Sequence, residues 1–130
     1  MKTFPFPRHE RIKGLKKSSE LFRSSQIINE FPFICKHLLN KNRKAGIEVL
    51  ISIPKKRIHG AVDRNLLKRR TREAWRLNVA NLRQATINKN INLNVGLYYQ
   101  NNVILPYKDI EQKIILIINR LIKIYETTSS

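Results

Sequence analysis

Apolar and polar residues alternate in three stretches of the chain, and each alternation predicts a β-strand. The stretches are 31–39, 47–53 and 93–99, and successive residues of a strand point to opposite faces of its sheet. In the second stretch Ile47 and every second residue after it are aliphatic, so one face is predicted to be buried. The polar, basic residues 40–46 have the composition of a hairpin connection between the first two strands.

Three other stretches have the three-to-four-residue spacing of amphipathic helices, namely 18–24, 61–82 and 107–125. The last carries a wide stripe of isoleucine and is predicted to pack on the sheet. The Asn-rich residues 85–92 are predicted to form a loop. The order of the elements predicts an α+β fold in which a single layer of helices covers one sheet.

The helix predicted to begin at Ala61 has two faces of opposite character. It contains no Gly or Pro and is rich in Leu, Arg, Lys and Ala, which favour helix. At about 100° per residue, one side is apolar and includes Trp75, which is predicted to be buried. The other side is a strip that we call the cationic ridge: Arg64, Asn65, Lys68, Arg69, Arg72 and Arg76.

The whole chain is strongly basic. Its 130 residues include 26 Lys and Arg but only 9 Asp and Glu, which gives a net charge of +17. Because so much like charge destabilises a small domain, the sequence predicts a polyanionic partner. Nucleic acid is the first candidate, and an anionic membrane surface is the second. Hydrophobic residues make up 42% of the chain, which is enough for a core and excludes wholesale disorder.

The remaining composition predicts a cytoplasmic protein without a metal or catalytic centre of its own. Cys35 is the single cysteine, so no internal disulfide can form, as expected in a reducing compartment. The N-terminus lacks the apolar segment of a signal peptide, and the longest aliphatic run, at 114–118, is too short to span a bilayer. The three histidines are scattered, and no paired carboxylates or nucleophile–base pair stands out.

The length predicts a single domain over residues 1–130, and its charge makes nucleic acid, such as RNA, the expected partner. Residues 1–14 contain Pro and several cations and are predicted to form a basic extended arm. This arm is either a solvated tail or a segment that lies along RNA. Residues 126–130 are predicted to be a polar tail.

Two segments carry a resemblance to a known family. They read SIPKK at 52–56 and AVDRNLLKRRTREAWR at 61–76. Together they closely resemble the signature of the bacterial ribonuclease P protein component, and FPRHERI at 6–12 resembles the opening of that family. The chain departs from the signature at Leu66, where the family has an Arg. Leu66 lies off the cationic ridge on the helical wheel, so the ridge survives the change, but the RNA contact of that Arg is in question.

The resemblance implies both a fold and a function. The fold has three helices and a four-stranded sheet, with a left-handed βαβ crossover that contains the ridge helix, against the general right-handed rule. The function is that of a protein subunit in a ribonucleoprotein endonuclease, which removes the 5′ leader from precursor tRNA. The active site and its Mg²⁺ are expected on the catalytic RNA subunit. The partners are that RNA and precursor tRNA, with no small-molecule substrate.

The resemblance also implies roles for particular residues. The positions matching the signature are expected to bind the catalytic RNA, and Arg76 joins them because it lies on the same face. A cleft between the first helix and the sheet is expected to hold the leader, with Phe22 and Phe33 as candidates. Both phenylalanines could equally belong to the core. The predicted RNA-binding residues are Lys55, Lys56, Arg64, Asn65, Lys68, Arg69, Arg72 and Arg76.

Three other functions fit part of the pattern. A ribosomal protein or RNA chaperone would share the charge and would not stimulate cleavage of precursor tRNA. A DNA-binding protein could use the ridge helix for recognition, although no preceding helix-turn partner is predicted. A membrane-surface role requires a free apolar helix face, which the sheet is expected to cover.

Overall fold

The computed structural model of the chain describes residues 10–12, 15–24, 26–40 and 43–126. Most of the predicted arm and tail, at 1–9, 13–14 and 127–130, therefore lies outside the described residues. The elements are α1 Leu15–Phe22, β1 Ile27–Glu30, β2 Phe33–Leu39, β3 Gly46–Ser52, α2 Ala61–Asn78, α3 Ala80–Asn88, β4 Asn92–Tyr99 and α4 Tyr107–Glu126.

The four strands form one mixed sheet in the order β1-β2-β4-β3. The central strand β4 is antiparallel to β2 and parallel to β3, and all eight of its residues are buried. The predicted hairpin at 40–46 is wrong, because β4 lies between β2 and β3. The connection instead passes the end of β4, where Asn40 N donates to Asn92 O at 2.9 Å and Gly46 N donates to Ile91 O at 2.9 Å.

The predicted α+β class and four-stranded sheet are confirmed. The crossover joins parallel β3 and β4 through α2 and α3, and its hand stays a prediction of the resemblance. Strand β1 was not predicted from alternation. It is four residues long and pairs antiparallel with β2, after a turn that contains the cis peptide bond Phe31–Pro32.

The ridge helix is shorter than predicted, and the segment that follows it is helical. Helix α2 ends at Asn78, and after Val79 the chain re-enters a helix that continues to Asn88. The predicted loop at 85–92 is therefore wrong over its first half. Its asparagines favour a loop, but Leu82 and Thr86 are fully buried, and this packing outweighs the propensity. The helix ends in a turn where Asn90 has φ 54°.

The predicted single layer of helices needs correction, because helices cover both faces of the sheet. Leu93 and alternate residues up to Tyr99 point into the main core, on the face where α4 and the fully buried Trp75 lie. Tyr98 points to the opposite face. The Phe22 ring of α1 contacts the Tyr98 ring at 5.7 Å, so α1 lies on that second face. The predicted burial of Trp75 is confirmed.

Part of the predicted arm runs along the open edge of β3. Arg11 forms a parallel bridge with Val49, and Ile12 N donates to Val49 O at 3.0 Å. The carboxylate of Glu10 is buried and accepts two hydrogen bonds from Arg83 of α3, at 2.5 and 2.7 Å. This segment is thus fixed to both the sheet and α3.

Candidate nucleic-acid interface

The middle of the cationic ridge is accessible to solvent. Asn65 and Arg69 are exposed, and Lys68 and Arg72 are half-buried. With Val62 they line a shallow depression on the outside of α2. Within the described part of the chain, neither Lys68, Arg69 nor Arg72 forms a salt bridge. Guanidinium and ammonium groups that are accessible and not already in a salt bridge can bind the phosphate oxygens of a nucleic acid.

The two ends of the ridge are partly engaged within the protein. Arg64 Nη1 donates to Ile58 O at 3.1 Å and to His59 O at 2.6 Å, which fixes the loop before α2. Arg76 forms an ion pair with Glu73, one turn earlier on α2. Both cations therefore have structural roles, and the contacts of Arg64 with the preceding loop are ones that a helical wheel does not show.

Arg72 lies close to a second cation from the arm. Burial and, after it, the positive charge of Arg11 lower the pKa of the Arg72 guanidinium. Both residues border a small depression against Val49 and Ile51 of β3. The pairing of like charges extends the positive surface of α2 towards the N-terminal segment, and an anion placed there would relieve the repulsion.

Lys55 and Lys56 are exposed in the turn after β3. The turn is closed by Pro54 O, which accepts from Arg57 N at 3.0 Å and from Ile58 N at 3.1 Å. Both lysines thus precede the α2 N-terminus, whose helix dipole adds to the positive potential. Leu66 is half-buried and does not line the ridge depression, which agrees with its predicted place off the ridge.

A cleft of about 610 Å³ lies between α1 and the sheet, and we call it the α1 cleft. Phe22 stands on its α1 side with 58% of its surface exposed. Lys36 Nζ lies 3.9 Å from the centre of the Phe22 ring, so an aromatic surface and a cation occur together. The cleft is lined by Ser18, Ser19, Phe22, Arg23, Leu50, Ser52 and Tyr98.

Tyr98 forms the floor of the α1 cleft next to Phe22. Burial raises the pKa of its phenol, and its buried hydroxyl has no hydrogen-bond partner among the described residues. The ring folds back over Gly96, where an added Cβ would lie 2.6 Å from Tyr98 Cε2. Glycine at this position therefore permits the shape of the floor.

The placement of Phe33 in this cleft is wrong. Phe33 is 1% exposed and packs edge-on against Tyr99 at 5.5 Å, in the main core on the other face of the sheet. Tyr98 and Lys36 were missed. Their signal was present in the sequence, since Tyr98 falls on the face opposite Leu93, Val95, Leu97 and Tyr99.

Two other features bear on the chemistry of the molecule. Cys35 is fully buried, and burial raises the pKa of its thiol to about 12, so it stays protonated and unreactive. Among the described residues, no three His, Cys, Asp or Glu side chains are grouped as metal ligands. In the same part of the chain, no helix is long and apolar enough to cross a membrane.

Comparison with known proteins identifies the family. Two solved structures of the Staphylococcus aureus RNase P protein superpose with a TM-score of 0.68 at 18% identity. The alignment with the first, a mutant described as defective in mRNA degradation activity, covers 92% of this chain and 90% of the Staphylococcus aureus chain. The alignment with the second covers 87% of this chain and 97% of the Staphylococcus aureus chain. No curated protein matches the sequence. The family model of ribonuclease P matches residues 6–121, and the chain therefore belongs to the ribonuclease P family, as its bacterial protein component.

Proposed function

We propose that this subunit binds the catalytic RNA through the cationic ridge and the 5′ leader of precursor tRNA through the α1 cleft. In doing so it assists endonucleolytic removal of the leader in the cytoplasm. The observation that carries the proposal is the presence of two RNA-compatible surfaces on separate parts of one small domain. One is the cationic ridge on α2, whose Lys68, Arg69 and Arg72 form no salt bridge within the described residues. The other is a cleft with the exposed ring of Phe22.

The ridge suits a folded RNA. Lys68, Arg69 and Arg72 project from one rigid helix, so their spacing is fixed before binding. Contacts to phosphates read the shape of an RNA rather than its sequence, which fits a subunit docking on a single structured partner. We assign the chemical step and its Mg²⁺ to that RNA, as the resemblance implies.

The α1 cleft suits an unpaired strand. Aromatic rings stack on any base, and a nearby cation attracts the backbone, so binding tolerates changes of sequence. Phe22 and Lys36 provide this combination at 3.9 Å. Leaders differ among precursor tRNAs, and a sequence-tolerant cleft is the kind of site that they require.

The test is cleavage of precursor tRNA by the cognate RNA at low Mg²⁺, with and without the full chain. We expect the protein to raise the cleavage rate and to bind precursor tRNA more tightly than mature tRNA when it is assembled with the RNA. An RNA chaperone would accelerate folding of the RNA but would bind precursor and mature tRNA equally. Equal binding, or no gain in rate, would reject the proposal.

A further inference from the structure

A pocket at the opposite end of β3 from the α1 cleft is lined by two buried acceptor atoms that have no hydrogen-bond donor among the described residues. Its volume is about 420 Å³, within the range of small-ligand sites. Glu48 and Asn92 line it, and both are more than nine-tenths buried. Glu48 Oε2 and Asn92 Oδ1 have no hydrogen-bond partner among the described residues. Buried acceptors are normally satisfied, so these two call for a donor beyond those that the described residues supply.

The charges around the pocket determine what kind of donor fits. Glu48 already faces Lys17 and Arg43, at 3.5 and 3.3 Å, and the other carboxylate, Glu10, is paired with Arg83. Lys44 is also at the rim. Within the described residues, four cations therefore lie near two carboxylates, and this excess repels a metal ion or polyamine. The donor must be neutral, and a ligand with an anionic part is favoured at the rim.

A nucleotide combines a neutral donor edge with an anionic phosphate. We propose that this pocket binds a guanine nucleotide, with Glu48 and Asn92 accepting hydrogen bonds from the base and with Arg43 and Lys44 contacting the phosphate. Glu48 and Asn92 lie on the same face of adjacent strands, offset by two residues in register, and guanine offers two donors, N1–H and its exocyclic amine, to such a pair of acceptors. Uracil has a single N–H between two carbonyl oxygens, and those oxygens would face Glu48 and Asn92. The half-exposed Ile87 provides an apolar surface beside the base.

Entry to the pocket requires one side chain to move. The Glu48 carboxylate is covered by contacts from Lys17 and Arg43 that are longer than the roughly 2.7–2.9 Å of a strong charge-assisted hydrogen bond. The Arg43 side chain is 45% exposed. The Arg43 side chain can exchange its contact with Glu48 for one with the phosphate of the nucleotide, which leaves the carboxylate accessible to the base. Asn92 stays fixed, because its Nδ2 donates to Lys44 O at 2.9 Å.

The test compares 5′-GMP, 5′-UMP and inorganic phosphate as ligands of the full chain at one salt concentration, without the catalytic RNA. We expect GMP to bind about tenfold or more tightly than UMP, since a pair of specific hydrogen bonds discriminates bases by about that factor. UMP is expected to compete no better than phosphate. Because the readout is base selectivity of the free protein, this result and the cleavage assay can fail independently.

Two variants assign the selectivity to the pocket. Glu48→Gln converts one of the two carboxylate acceptors into an NH2 donor and removes the negative charge, and it is expected to abolish the preference for GMP. Ile87→Glu puts a carboxylate at the exposed mouth and is expected to weaken GMP binding at least tenfold. Its matched control is Leu116→Glu on α4, at 44% exposure against 49%, which makes the same change of charge elsewhere. If Ile87→Glu and Leu116→Glu lose the same amount of GMP affinity, the loss is a general effect of charge, and the proposal is overturned.

The source of the nucleotide is distinguished by two RNA pentamers, UUGUU and UUUUU. Tighter binding of UUGUU, lost in Glu48→Gln, would assign the pocket to RNA, and selectivity for GMP alone would assign it to a free nucleotide. Either result supports the site. If GMP, UMP and phosphate bind equally and the pentamers do not differ, the acceptors are satisfied by water only, and the proposal is wrong.

Discussion

The cationic ridge and the α1 cleft are both candidate RNA surfaces, but they are formed in different ways. The ridge lies on one helix, and its Lys68, Arg69 and Arg72 are separated by at most four residues. The α1 cleft combines Phe22 of α1 with Lys36 of β2 and Tyr98 of β4. One surface thus depends on local helix geometry, and the other depends on the sheet topology.

The two surfaces also differ in chemistry. The ridge presents positive charge with little apolar area, which suits phosphates and makes binding sensitive to salt. The cleft presents an aromatic ring over an apolar floor, which suits bases and is less sensitive to salt. Because of this difference, binding of the folded RNA and binding of the unpaired leader can be disrupted and measured separately.

Both surfaces require the folded sheet, so a destabilising substitution in the main core, Trp75→Ala, should impair them together. The side chain is 0% exposed and supports α2 from beneath, so its loss leaves a large cavity. We expect a loss of about 3–5 kcal/mol in the free energy of unfolding, measured by chemical denaturation. If the variant unfolds at the same denaturant concentration as the wild type, the core does not depend on Trp75.

Removing the ridge should weaken docking on the catalytic RNA without affecting the fold. In Lys68→Ala/Arg69→Ala/Arg72→Ala, three candidate phosphate contacts are lost. We expect affinity for the catalytic RNA to fall roughly 100-fold or more, and the slope of log affinity against log salt to become shallower by about one per phosphate contact. The melting temperature should be unchanged, because none of the three forms a salt bridge within the described residues.

The control for the ridge removes three other positive charges, in Lys89→Ala/Lys108→Ala/Lys113→Ala. These residues lie outside α2 and outside the α1 cleft, so only net charge is matched. An equal loss of affinity in the control would show that RNA responds to total charge and not to the ridge. Arg64 is left intact in both variants, because its bonds to Ile58 O and His59 O make it part of the fold.

Phe22→Ala should affect the leader alone. Loss of one base-stacking ring costs about 1–3 kcal/mol, so the preference of the assembled enzyme for precursor over mature tRNA should fall about 5- to 150-fold. Phe31→Ala is the matched control, because Phe31 is also 58% exposed but lies in the turn after β1. If both variants lose the preference equally, the α1 cleft does not hold the leader.

The ridge could be predicted from the sequence because a helix relates residues three and four apart regardless of the rest of the fold. The signature at 61–76 then connected it to RNA. Helical spacing also predicts that Glu73 pairs with Arg69, Arg70 or Arg76, and the pair with Arg76 forms. The same reasoning could not show that Arg64 has partners within the protein. Arg64 bonds to carbonyls of the preceding loop, whose conformation depends on tertiary structure.

The α1 cleft could be predicted only as a feature of the family, and one of its two assigned residues was wrong. Alternation shows which residues share a face but not which face meets which helix. Phe33 was therefore placed with Phe22, although it faces the main core. The order β1-β2-β4-β3, which brings Tyr98 to Lys36 and Phe22, results from pairing distant segments. No local pattern specifies such pairing.

The smallest expected effect is a pH dependence that acts on both surfaces through the sheet. His37 lies on β2 in the main core, where its Nδ1 and Tyr125 Oη are hydrogen-bonded at 2.6 Å. Burial lowers the pKa of His37 below its ordinary value of 6.5, so the folded state favours the neutral ring. Below pH 6.5 the unfolded chain binds a proton that the folded chain resists, and stability must fall as the pH decreases.

The slope from one such group cannot exceed about 1.4 kcal/mol per pH unit, and it should fade as the pH rises roughly one unit above 6.5, where the unfolded His37 also loses its proton. Denaturation between pH 7.5 and 5, compared with His37→Gln, measures the contribution. We expect the variant to be less stable at pH 7.5 but to lose less stability on acidification, because its side chain takes up no proton. Parallel pH profiles for the two proteins would show that another group causes any acid sensitivity of the sheet.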